Sequence, residues 1–133
     1  MTAYISVSFS KKKSAEEVLM AVSNALKDLN ITAFIFVDKY RFAAGEEKEM
    51  MKQAMSDIDE CDLLIAETSD KAIGIGVEVG YAKAKGKPIV YMRHKDAEHS
   101  TTISGMSDYH VIYTDTSDLN AQLTDALNKM LKN

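Results

Sequence analysis

Apolar and polar positions alternate along this chain with two different periods, and the switches between them mark out the elements. Residues 3–8 (Ala-Tyr-Ile-Ser-Val-Ser) are rich in β-formers and predict a first strand. A polar break over residues 9–14 (Phe-Ser-Lys-Lys-Lys-Ser) leads into Val18, Leu19, Val22, Ala25, Leu26 and Leu29, a stripe at helical spacing. Ser14 with Glu17 three residues later has the spacing of a capping box, which puts the helix start at Ser14. Residues 32–37 (Thr-Ala-Phe-Ile-Phe-Val) form a continuous apolar run of the kind covered on both faces of a sheet.

The second half repeats the pattern. After a polar loop over residues 38–45, residues 46–58 predict a second helix with Met50, Met51, Ala54, Met55 and Ile58 on its buried side. Residues 62–67 predict a third strand, followed by a glycine-bearing turn and an alanine-rich helix that stops at Gly86. Pro88 opens a fourth strand ending at Met92, a long polar loop spans residues 93–108, and residues 110–113 form a short fifth strand. Leu119, Leu123, Leu127, Met130 and Leu131 give the last helix its apolar side over residues 118–131. Strands alternating with helices predict an α/β three-layer sandwich on a five-stranded parallel sheet. The flavodoxin-like order 2-1-3-4-5 is expected, so ligands should bind beyond the C-terminal ends of strands 1 and 3.

Composition narrows the class. The chain has 133 residues and is expected to form a single domain over residues 1–133. Its formal net charge is −4, so no nucleic-acid partner is expected. Its one cysteine, Cys61, excludes an internal disulfide and reads as a small buried residue before a strand. No apolar run reaches membrane-spanning length and the N-terminus lacks a basic-then-apolar signal layout, so no membrane association and a cytoplasmic location are expected. His94, His99 and His110 show no metal-ligand spacing, and neither metal nor cofactor is expected.

The candidate chemistry lies at the predicted crevice. Gly74-Ile75-Gly76 resembles half of a dinucleotide fingerprint, but the full motif is absent because Val79 stands at its third glycine. What remains is a predicted tight turn offering backbone N–H groups to an oxyanion or hydroxyl. Glu78, expected in the first helical turn, is the candidate nucleophile, kept ionised by those N–H groups. An acidic residue there is also favoured simply because it opposes the helix dipole. Lys11, with Lys12 and Lys13, could hold a phosphate or could form a solvated basic turn.

Ala66-Glu67-Thr68, residues 73–82 (Ile-Gly-Ile-Gly-Val-Glu-Val-Gly-Tyr-Ala) and Gly86-Lys87-Pro88 together resemble the nucleoside 2-deoxyribosyltransferase superfamily, most closely its 2'-deoxynucleoside 5'-phosphate N-hydrolases. Tyr4-Ile5-Ser6-Val7-Ser8 is similar to the first-strand motif of that group, with Val7 in place of a common glycine, so the likeness spans most of the chain. The resemblance implies that Glu78 attacks the anomeric carbon of a (deoxy)ribose and that Tyr4 positions it. It further implies that Ser8 contacts phosphate or sugar; Ser10, Lys11, Ser69, Gly74 and Gly76, near the same crevice, are the other candidate substrate contacts. Ser100 matches a serine lent to the site by a neighbouring subunit, which implies a homodimer or higher homo-oligomer.

The chain departs from the family pattern at two positions. An aspartate expected eight residues before Asp62 is Ala54, and a serine or aspartate expected six residues before Glu78 is Ala72. Asp57, or Ser69, Asp70 and Lys71, would have to serve instead. The expected function is therefore cleavage or transfer at the N-glycosidic bond of a (deoxy)nucleoside or its 5'-monophosphate. The alternatives are a non-catalytic nucleotide sensor and, because Gly45-Glu46-Glu47 and residues 61–65 also resemble TIR domains, an NAD glycohydrolase.

Overall fold

Side chains on a strand point alternately to its two faces, so each apolar run here serves two cores. In the computed structural model, residues 1–8 and 12–133 are described, with only the backbone of residues 12–14 and of Val37. The elements run β1 (Thr2–Val7), α1 (Lys12–Asp28), β2 (Thr32–Ile35), α2 (Phe36–Lys39), α3 (Glu47–Glu60), β3 (Leu63–Glu67), α4 (Ile73–Ala84), β4 (Ile89–His94), α5 (Thr101–Gly105), β5 (Tyr109–Tyr113) and α6 (Thr116–Leu131). The strands form one five-stranded parallel sheet in the order β2-β1-β3-β4-β5, as the alternation of elements predicts.

Ala3, Ile5, Leu63 and Ile65 face α1 and α6, where they meet Val22, Leu26, Leu123 and Leu127. Tyr4, Leu64, Ala66 and Ile89 face the other way, against Ile58 of α3 and Ile75, Val79 and Ala82 of α4. Each fully buried Leu or Ile contributes about 1.5–3 kcal/mol relative to exposure. Two helices end in the same left-handed cap. Asn30 (φ 58°) closes α1, with Ile31 N–H on Leu26 O at 2.9 Å. Gly86 (φ 73°) closes α4, with Lys87 N–H on Ala82 O at 3.0 Å.

Several boundaries differ from the sequence expectation. Helix α1 begins at Lys12, so Ser14 lies inside its first turn rather than capping it. The run over residues 32–37 is less covered than expected: in β2, at the sheet edge as the predicted order has it, Thr32 is exposed and the other residues are half-buried. It stops at Ile35, and Phe36 turns into α2, where its ring stacks on Phe42 with centroids 5.9 Å apart. The loop expected over residues 93–108 contains the end of β4 and the whole of α5. Helix α4 begins at Ile73, so the glycine pair expected to form a turn is helical.

Candidate active site

Helix α4 runs back from the C-terminal edge of the sheet over Tyr4, Leu64 and Ala66, burying Ile75, Val79 and Ala82. That places Glu78, half-buried, over the even-numbered side chains of β1. The Tyr4 hydroxyl donates to Glu78 Oε2. The Ser6 hydroxyl donates to Glu78 Oε1 at 2.7 Å. Tyr4 and Ser6 are 0% and 1% exposed, so both donors are fixed by the core.

These contacts correct the expected electrostatics of Glu78. It is the sixth residue of a helix that begins at Ile73, beyond the free N–H groups of the first turn. Its partners are hydroxyls of β1 rather than backbone amides. Burial pushes its carboxyl above the usual glutamate value, and the Tyr4 and Ser6 hydroxyls pull it partly back. Burial, and then the negative charge of Glu78, push the Tyr4 phenol well above its ordinary value, so Tyr4 stays protonated as a donor.

The other residues singled out from the sequence do not share one hollow. Ser8 donates to Asp70 Oδ2 at 3.0 Å. With Ser69 they line a hollow of about 570 Å³ on the α1/α6 side of the sheet. Ser100 caps α5, its Oγ accepting from Ile103 N–H at 3.3 Å, and lines a different hollow of about 350 Å³ with Gly76 and Lys71. Gly74 and Gly76 are helical and exposed, with open space where a Cβ would lie, so no close backbone approach demands glycine there. Ser10 and Lys11 lie outside the described residues. Ser6 was not singled out from the sequence, because a serine in a strand pattern carries no local sign of a partner 72 residues away.

Residues 4–127 match the nucleoside 2-deoxyribosyltransferase family. The chain belongs to this family. A provisionally named 2'-deoxynucleoside 5'-phosphate N-hydrolase of Syntrophotalea carbinolica is 49% identical over 41 residues, 31% of this chain and 29% of that protein. The 5-hydroxymethyl-dUMP N-hydrolase of Branchiostoma floridae is 32% identical over 57 residues, 43% of this chain and 54% of that protein. The matched stretches thus span about half or less of these curated relatives. The structure of Clostridium botulinum CMP N-glycosidase superposes with a TM-score of 0.70 at 18% identity, covering 92% of this chain and 98% of that one. At that identity the likeness is one of fold.

The two positions expected to depart from the pattern of the deoxyribosyltransferase family are visible in the fold. Ala54 is 3% exposed on the inner side of α3. Asp57, one turn on, is held by its own helix and loop: its Oδ1 accepts from Gln53 Nε2 at 3.0 Å and from Tyr40 Oη at 3.3 Å. Its charge acts on Tyr4 and raises the phenol further. Ala72 is the exposed N-cap of α4.

A second carboxylate lies on the opposite face of the sheet. Glu67, 5% exposed, accepts from Ser69 N–H at 2.6 Å and from the Tyr113 hydroxyl at 2.8 Å. The Ser69 hydroxyl lies 3.2 Å from Tyr113 Oη and accepts from His94 N–H at 2.8 Å. Ser69 is therefore tied into the ends of β3, β4 and β5. Burial raises the Glu67 carboxyl above its usual value, against the pull of Ser69 and Tyr113. Among the described residues no group of three or more His, Cys, Asp or Glu could hold a metal ion, and no helix is long and apolar enough to cross a membrane.

Proposed function

We propose that this protein cleaves, or exchanges, the N-glycosidic bond of a (deoxy)nucleoside or its 5'-monophosphate, with Glu78 as nucleophile. One Glu78 oxygen attacks C1' of the sugar. The C1'–N bond breaks, and the base leaves with the electron pair and takes up a proton. The product is a glycosyl ester on Glu78. Water, or a second base, then attacks C1'; the ester C–O bond breaks, the attacking group loses a proton, and the carboxylate is regenerated with retained configuration.

The observation that carries this reading is the pair of buried hydroxyls, Tyr4 and Ser6, each donating to one oxygen of Glu78. They orient the carboxylate while each oxygen keeps a lone pair. The names of the curated relatives support hydrolysis of a 5'-monophosphate. Ser8, Ser10, Lys11, Ser69, Gly74 and Gly76 remain its substrate contacts in this proposal. Ser100 from a neighbouring copy would complete the site of a cytoplasmic homodimer or higher homo-oligomer.

The test is release of free base, followed by chromatography, from a panel of nucleosides and 5'-monophosphates with and without an acceptor base. Wild type should release base from at least one member, and Glu78→Gln should lose that release at least a hundredfold. A wild type inactive on the whole panel, or an equally active Glu78→Gln, would overturn the proposal. The buried Ala54 favours one further reading, a nucleotide sensor that has lost turnover. A nucleotide that raises Tm without being consumed would support it.

A further inference from the structure

Position 6 is a place where a purely structural design would put an apolar residue. It is the next-to-last residue of β1, on the face toward Leu64, Ile75 and Val79, and pairs in register with Ala66 of β3. Ser6 is nevertheless 1% exposed there, and a buried hydroxyl is costly unless it is bonded. Its donor is aimed at Glu78 Oε1 at 2.7 Å. The Tyr4 phenol, two residues earlier on the same face, is aimed at Oε2.

We infer that Ser6 is a positioning residue for the Glu78 nucleophile, fixing the plane of its carboxylate together with Tyr4. This rests on the proposed function and goes beyond it, because the resemblance implies a role for Tyr4 and Ser8 of this strand and none for Ser6. A carboxylate held by one hydroxyl can rotate about its last torsion, and that torsion is intrinsically broad. Held by two donors, one on each oxygen, it has one orientation, and each oxygen still retains a lone pair. When the glycosyl ester breaks, negative charge returns to the carboxyl group, and a fixed donor on each oxygen meets it without reorganisation.

Ser6 cannot touch the substrate itself, since it is buried under Glu78. Its loss should therefore appear in kcat rather than in KM. Among the described residues, the titratable groups around the carboxylate are few. Tyr4 faces it from β1; Asp57 and Cys61, on α3 and at its C-terminal cap, act on Tyr4.

The experiment measures kcat, KM and the pH profile of kcat/KM for wild type, Ser6→Ala and Ser6→Thr. A hydrogen bond to a charged group corresponds to a loss of about tenfold or more in rate. Ser6→Ala should lose about that in kcat with KM within twofold, and the acid limb of its profile should move to higher pH. Ser6→Thr, which keeps the hydroxyl, should restore the limb. An unmoved acid limb with kcat within twofold of wild type would overturn the inference. A carbon-13 titration of Glu78, assigned by its absence in Glu78→Gln, provides a readout independent of turnover. A midpoint raised by Ser6→Ala supports the placement, and an unchanged midpoint overturns it. Absence of any turnover in wild type overturns the proposed function instead, so the two failures are distinguishable.

Discussion

Replacing Tyr113 by phenylalanine removes one oxygen and little volume, yet it should weaken the fold measurably. The phenol donates to Glu67 Oε2 at 2.8 Å, and Glu67 is 5% exposed. With the donor gone, one oxygen of a buried carboxylate has lost this partner, and the Ser69 hydroxyl has lost a neighbour at 3.2 Å. Orphaning a buried group costs about 1–3 kcal/mol, more for a charged one, so about 2 kcal/mol is expected at neutral pH. For a chain of this length that is roughly 6–8 °C in Tm.

The pH dependence of that loss is the sharper test. Burial already raises the Glu67 carboxyl above 4.5, so the folded chain binds the proton more tightly than the unfolded one. Wild-type stability then has its Glu67 contribution in full below pH 4.5 and loses it as pH rises through the raised value. The Tyr113 hydroxyl opposes the rise, so its removal widens that window. Calorimetry at pH 7.5 and pH 4.5 should show the gap between Tyr113→Phe and wild type shrinking at the lower pH, where Glu67 approaches neutrality in both proteins. A gap of equal size at both pH values would refute the assignment of the loss to the Glu67 contact.

Two further substitutions test how the helices are closed. Asp115 caps α6 by accepting from Asp118 N–H at 2.8 Å, and Asp115→Ala should cost about 1 kcal/mol by urea denaturation. Gly86 ends α4 at φ 73° with nothing within 4 Å of a built Cβ, so Gly86→Ala meets backbone strain alone and should cost about 1–2 kcal/mol in the same assay.

The sheet order was legible because the apolar runs are short, separated, and divided by helical stripes such as Val22–Ala25–Leu26 that bury as a unit. The misplaced boundaries share a cause: local composition pointed one way and tertiary packing the other. Phe36 extends an apolar run on paper, but it leaves the sheet edge to pack with Tyr40 and Phe42. Gly74 and Gly76 read as a turn, yet the chain is already helical there, since glycine near a helix start costs only about 1 kcal/mol. Glu78 was legible from its place in the chain, but its state was not. That depends on Tyr4 and Ser6, brought over it by β1 pairing beside β3. Ser100 illustrates the converse, since its spacing before Ile103 is also that of an N-cap, and within its own chain its oxygen caps α5.

The nucleophilic role of Glu78 is tested most directly by trapping. A 2'-deoxy-2'-fluoro nucleoside 5'-monophosphate slows departure of the sugar from an ester, and intact-mass spectrometry with peptide mapping then locates it. We expect wild type to gain one glycosyl unit on the peptide bearing Glu78, and Glu78→Gln to gain none. Base release by wild type with no adduct, or an adduct that persists in Glu78→Gln, would contradict a covalent role for this glutamate.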